Sequence, residues 1–172
     1  MKSLTLRWLG LILVLCLLPC LLTFALGAGK EQPQQPAATS GNNGDNITWS
    51  YNTYSKTLTI SGSGALELVY SIEPWYTYTD EIQTITINNG ITHIGTKILS
   101  FHPNLTTVNM PKTLESYSVG AFSGCPKLEK FTVQSGSSYF ATDYTGSLYN
   151  ANLTTLYICP NAYTGTFEVP YT

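Results

Sequence analysis

The sequence predicts a mainly β chain with short helical turns, built as a solenoid of stacked repeats behind an N-terminal β-hairpin cap. Three observations predict it. The first is an echo. Ile82, Ile85 and Ile87 recur as Leu105, Val108 and Met110, then as Leu128, Phe131 and Val133, offset by 23 residues each time (105 − 82 and 128 − 105). A unit of that length cannot bury its own apolar face, so a fixed period implies units that lean on one another. The second is the pattern within each echo, apolar-x-x-apolar-x-apolar, whose last three positions alternate as a half-buried strand does. The third is composition. Only 10% of residues are charged, whereas Thr, Ser, Asn, Gly and Tyr abound, which suits sheet with a hydroxyl-rich outer surface.

The formal charge is −2. Without Lys2 and Arg7, 6 basic residues (8 − 2) face 10 acidic ones, a net of −4. No basic stripe exists to neutralise phosphates, so nucleic acid is excluded as a partner. Residues 1–27 read as an export signal: Lys2 and Arg7 precede a Leu-rich core, and Ala25-Leu26-Gly27 supplies the small residues of a cleavage site. The alternative is a retained membrane anchor, since the uncharged run from Trp8 to Ala28 covers 21 residues. Pro19 and the small-residue exit favour cleavage. Either way the remainder is expected outside the cytoplasm, secreted or at the cell surface, touching membrane only through this segment if it is uncleaved. Residues 28–44, a Gln/Pro/Gly/Asn stretch, have almost no apolar side chains to bury and read as a flexible tether.

Residues 45–79 read as the cap. Ile47, Trp49 and Tyr51 alternate with polar residues, as do Leu58 and Ile60 beyond the polar stretch Asn52 to Lys56, which is the pattern of a hairpin with one buried face. Ser61-Gly62-Ser63-Gly64 ends the strand. Leu66, Val69, Pro74, Trp75, Tyr76 and Tyr78 then lead into the first repeat. A repeat stack needs an atypical end unit over its first apolar face, and this segment is placed to supply it. Its Trp and Tyr rings offer a second reading, a platform for stacking sugars.

Residues 80–172 hold the repeats. Each apolar-x-x-apolar-x-apolar opening reads as a short strand whose apolar residues point into the solenoid. The residues between them point outward: Thr84, Thr86 and Asn88, then Thr107 and Asn109, then Lys130, Thr132 and Gln134. Stacked parallel strands would align these as one polar ladder, the candidate partner-binding face. Ile94 and Leu99, or Tyr117 and Phe122, fill the core on the return. After Val133 the period is interrupted near 146–160, where Leu148-Tyr149 and Leu156 to Ile158 read as an inserted hairpin. An alternative makes Leu153, Leu156 and Ile158 a further repeat strand. Phe167, Val169 and Pro170 resume the opening pattern with no closing cap after them, which suggests a short or truncated protein whose last repeat is exposed.

Three phrases carry a family resemblance: Ala121-Phe122-Ser123-Gly124-Cys125-Pro126-Lys127-Leu128; Gly90-Ile91-Thr92-His93-Ile94-Gly95; and Gly44-Asp45-Asn46-Ile47-Thr48-Trp49 followed by Leu58-Thr59-Ile60-Ser61-Gly62-Ser63-Gly64. They resemble BspA-like leucine-rich-repeat surface proteins, from about residue 44 to the end. In the first repeat the usual Ala-Phe and Cys positions hold Ile98-Leu99 and His102. The resemblance implies a right-handed leucine-rich-repeat solenoid, exported and displayed at a surface, binding host or matrix proteins.

Little in the chain suggests chemistry. Cys125 sits where the family's turn buries a small apolar residue, and it and Cys159 read as unpaired thiols, a disulfide being the alternative. His93 and His102 lack Cys, Asp or Glu at ligand spacing, so no metal site is expected. Asp80 and Glu81 are adjacent strand residues facing opposite sides, a poor acid/base pair. No serine stands in a nucleophile elbow and no Gly-rich loop precedes a helix. Asn46, Asn104 and Asn152 begin glycosylation sequons that chance accounts for in so Thr- and Asn-rich a chain. The expectation is a non-enzymatic adhesion or protein-binding module without cofactor, its partner an extracellular or host protein. The alternatives are a carbohydrate-binding module built on Trp49 and Trp75, and a structural fragment of a longer repeat protein.

Overall fold

The computed structural model describes residues 39–69 and 71–166. The chain divides into two compact units, Met1–Pro36 and Ala37–Thr172, and all described residues belong to the second. The 1–27 leader, most of the 28–44 tether and the resumed pattern at Phe167, Val169 and Pro170 lie outside the described residues.

The fold is mainly β. One six-stranded sheet runs in the order β1 (Ser40–Asn42), β2 (Ile47–Asn52), β3 (Thr57–Gly62), β5 (Thr84–Ile87), β7 (Thr107–Met110), β9 (Lys130–Val133). β2 and β3 form the antiparallel cap hairpin, turned by Asn52, whose Oδ1 accepts the backbone N–H groups of Tyr54 and Ser55 at 3.0 Å each. From β3 onward every pairing within this sheet is parallel. Ile85, Val108 and Phe131 lie side by side, as do Thr86, Asn109 and Thr132. The 23-residue period of the sequence is therefore the register of the sheet.

The cap is continuous with the repeats: Thr57, Leu58, Thr59 and Ile60 pair with Thr84 to Ile87. It covers the first repeat by joining its sheet. The chain then crosses behind, where β4 (Gly64–Leu66), β6 (Ile91–Ile94) and β8 (Ser116–Tyr117) form a second, parallel sheet. Between the two sheets lies a core that includes Leu58, Ile60, Leu66, Ile85, Ile94, Leu99, Val108 and Phe131. A 3₁₀ turn at Tyr76–Tyr78 lets Tyr78 stack on Tyr51, with ring centroids 4.3 Å apart.

One expectation needs correction, and one alternative is set aside. The tether stops short of residue 44, because Ser40–Asn42 forms β1 against β2. Backbone pairing asks nothing of side-chain hydrophobicity, and Asn43, only 2% exposed, is anchored by donating from Nδ2 to the Glu67 carbonyl at 2.7 Å. Trp49 and Trp75 are no sugar platform. They are 5% and 0% exposed and meet edge to face at 6.3 Å inside the core. The strand of the last described repeat, β9, is covered. A third sheet, β10 (Phe140–Thr142), β11 (Leu148–Asn150) and β12 (Leu156–Ile158), is antiparallel throughout and buries Phe140 and Leu148 in the common core. Phe131 is 1% exposed, and its N–H is bonded to the Gly146 carbonyl at 2.8 Å.

Candidate functional site

The outer face of the six-stranded sheet carries the polar ladder. Thr84 stands beside Thr107 and Lys130 in one row, and Thr86 beside Asn109 and Thr132 in the next. Parallel stacking brings these six side chains together because residues one period apart share a level and a face. The rows are bonded along the stack. Asn109 Nδ2 donates to Thr86 Oγ1 at 3.0 Å, and Thr132 Oγ1 donates to Asn109 Oδ1 at 2.6 Å. Asn88 and Gln134 lie at the ends of their strands, where Asn88 Nδ2 donates to Ser61 Oγ at 2.9 Å and Gln134 Oε1 accepts the Lys112 backbone N–H at 3.5 Å.

At that end the sheet edge dips into a cleft of about 300 Å³ lined by Thr86, Ile87, Asn88, Asn89, Asn109, Met110, Pro111, Thr132, Val133 and Gln134. Five of the eight ladder residues are in its wall: Thr86, Asn88, Asn109, Thr132 and Gln134. Thr84, Thr107 and Lys130 lie outside it, along the face. No lining residue is ionisable or aromatic. Such a wall favours ligands recognised by neutral hydrogen bonding.

The same face extends onto the cap, which reasoning from the repeats alone missed. Thr57 pairs with Thr84 and Thr59 with Thr86, so the ladder continues for another strand. The signal was present: Thr57-Leu58-Thr59-Ile60 matches Thr84-Ile85-Thr86-Ile87 in type at every position. The spacing of 27 (84 − 57) hid it, because the repeat period is 23.

Other reactive groups are placed for structure. His102 lies 2% exposed on the back of the solenoid, its Nδ1 3.3 Å from the Thr79 carbonyl and its buried Nε2 without a partner. Burial holds its pKa below the ordinary imidazole value, against the opposing pull of the Thr79 carbonyl, Glu73 and Asp80. Cys125 occupies the matching position one repeat later, and burial pushes its thiol pKa up. Both Cys125 and Cys159 are free thiols, and only Cys159 is exposed.

On the second sheet His93 meets Ser116 Oγ at 2.7 Å through Nδ1 and Ser118 Oγ at 3.2 Å through Nε2, which also lies 3.5 Å from Glu67 Oε1. The grouping ties β4, β6 and β8 together. Ser116 sits in an extended strand, without the sharp turn that presents a nucleophile. Among the described residues no group of three or more His, Cys, Asp and Glu is gathered to hold a metal ion. Asp80 and Glu81 are likewise separated in role: Glu81 pairs with Lys56, while the Asp80 carbonyl accepts from Asn104 Nδ2 at 2.7 Å. A second cleft, of about 320 Å³, lies between the back turn of the second repeat and β12, walled by Tyr117, Phe122 and Tyr157.

A family model agrees with this architecture. The family described as "BspA type Leucine rich repeat region (6 copies)" matches residues 50–166. No curated protein matches the chain. Among solved structures, a leucine-rich repeat protein from Eubacterium ventriosum is similar at 21% identity and a TM-score of 0.38, over 76% of this chain and 53% of that one. The pneumococcal vaccine antigen PcpA is similar at 11% identity and a TM-score of 0.32, over 73% of this chain and 57% of that one. The chain thus matches little more than half the length of either. The parallel ladder, the period that sets its register and the family match over residues 50–166 lead to one conclusion: the chain belongs to the BspA-type leucine-rich-repeat family.

Proposed function

We propose that the chain is a secreted or cell-surface, non-enzymatic protein-binding module, used for adhesion to an extracellular or host protein. The observation that carries this reading is the polar ladder opening into an uncharged cleft, with five of the eight ladder residues in its wall. A flat row of Thr and Asn offers many adaptable hydrogen bonds at small entropic cost. Repeat solenoids commonly bind through such extended faces. The family match supports a repeat module of this kind, and the export-type leader supports display outside the cytoplasm.

The test is solid-phase binding of the full chain to a panel of purified extracellular matrix proteins. Thr107→Glu and Thr59→Lys place charge on the ladder face, while Glu115→Lys does so on the opposite side. Loss of binding in the first two but not the third is the expected result. Equal binding by all three variants, or binding to no matrix protein, would overturn the proposal.

A further inference from the structure

The polar ladder has an internal hydrogen-bond order that narrows what can sit on it. Among the described residues, Asn109 is the only member of the ladder bonded through its side chain on both sides, to Thr86 on β5 and Thr132 on β9. A primary amide carries two N–H donors and two acceptor lone pairs on one plane. The two neighbours lie on either side along the stack, so they take one lateral donor and one lateral acceptor. What remains is one N–H and one lone pair on the amide edge that points away from the sheet. Both threonine hydroxyls can donate or accept, so that edge persists whichever way the amide is turned.

An amide edge with one donor and one acceptor side by side complements a single residue of extended main chain, whose N–H and C=O face the same way. The cleft around it contains Thr, Asn, Gln and aliphatic groups, with no ionisable side chain. A charged segment crossing it would lose its hydration without gaining a counter-charge. An uncharged strand would lose only what the amide and hydroxyl rows return. Neutral sugars also offer paired hydroxyls, but they bind best with an aromatic ring beneath them, and none lines this cleft.

We infer that Asn109 is the main-chain reader of this face: it holds an extended, uncharged polypeptide segment across the cleft through paired hydrogen bonds to the segment's backbone. The inference rests on the reading of the ladder as a protein-binding face and specifies the chemistry of the partner. Specificity then comes from side chains of the segment that fall between Ile87, Met110 and Val133, while Asn109 supplies affinity independent of sequence.

The experiment uses the full chain and a fluorescence-polarisation screen of short uncharged peptides, each paired with a counterpart N-methylated at alternate residues. Neutral oligosaccharides form a second arm. Asn109→Asp is the informative variant, because a carboxylate still accepts from both threonines, preserving the ladder, but has no N–H to offer. The expected result is peptide binding that weakens about tenfold or more in Asn109→Asp and in the N-methylated counterparts, with the thermal midpoint unchanged. Four outcomes overturn the inference: no peptide bound, equal binding by Asn109→Asp, indifference to N-methylation, or binding of oligosaccharides alone. If Thr107→Glu abolishes matrix-protein binding while Asn109→Asp leaves it intact, only this inference fails. If neither variant changes that binding, the ladder-face reading fails with it.

Discussion

Phe101 lies against Gly124, its own counterpart one repeat later (101 + 23): both hold a left-handed backbone, with φ of 60° and 72°, and a Cβ on Gly124 would come within 2.6 Å of the Phe101 ring. The two repeats therefore solve one turn differently. The second uses a glycine that accepts the conformation freely. The first accepts it with a bulky residue whose ring then occupies the space the glycine leaves open.

This pair gives the first prediction. Gly124→Ala is expected to destabilise by more than the roughly 1–2 kcal/mol of a strained left-handed residue, because the ring must also move. Phe101→Gly should be close to neutral: the ring is 61% exposed, and relief of strain offsets the entropy glycine adds to the unfolded chain. In the Phe101→Gly background the alanine should cost only the left-handed strain. Urea unfolding of the four proteins measures this. An identical cost in both backgrounds would show that the ring does not fill that space.

Phe122 is 6% exposed and packs edge-on against Phe131 at 5.2 Å. Phe122→Ala should therefore cost about 3–5 kcal/mol. Chemical denaturation checks it, and a midpoint within error of the parent would place the ring outside the stack.

His102 predicts acid sensitivity. Its folded-state pKa is depressed by burial, so the unfolded chain takes up the proton first as pH falls. The stability linked to its neutral form is present above the ordinary imidazole value of about 6.5 and is lost as pH drops below it. His102→Cys copies the residue at the equivalent position 125, removes the unpartnered buried Nε2 and should flatten thermal midpoint against pH between about 7 and 5. An undiminished slope in the variant would assign the acid sensitivity to other groups.

Tyr149 predicts the alkaline limit. Burial first, and then Asp143, whose Oδ2 accepts from the phenol at 3.2 Å, push its pKa up to about 12. The unfolded chain loses this proton first, near pH 10, so the contribution is complete below that value and declines up to about 12. Tyr149→Phe should shift stability at neutral pH and reduce the slope in this window. Circular dichroism melts at stepped pH measure both, and a slope equal to the parent's would contradict the assignment.

Much of the fold was legible because the repeat period acts directly on side-chain type. Ile85, Val108 and Phe131 share a level in the sheet for the same reason that they share a place in the pattern: each must exclude water on one face of a strand. The candidate face followed from the same alternation, since Thr86, Asn109 and Thr132 are what remains when the apolar residues turn inward. Less was legible where the backbone does the work. Ser40–Asn42 carries no apolar signal, yet its main chain pairs with Thr48 to Ser50. Trp75 lies in a Pro- and Tyr-rich connection without periodic pattern, so its complete burial is visible only in the folded chain.

By itself the sequence determined the strands of the cap hairpin and of the repeat openings, which of their faces turn inward and how the repeats register, because those depend on polarity recurring at fixed spacing. Only the tertiary structure decided that the cap hairpin joins the repeat sheet in parallel through Thr57 to Ile60, extending the polar face by a strand. It alone decided that β10 to β12 close over Phe131, and that Asn109 is held from both sides by Thr86 and Thr132. The reason is physical. Polarity belongs to a residue, but burial and hydrogen-bond partners belong to whatever distant segments the folded chain brings beside it.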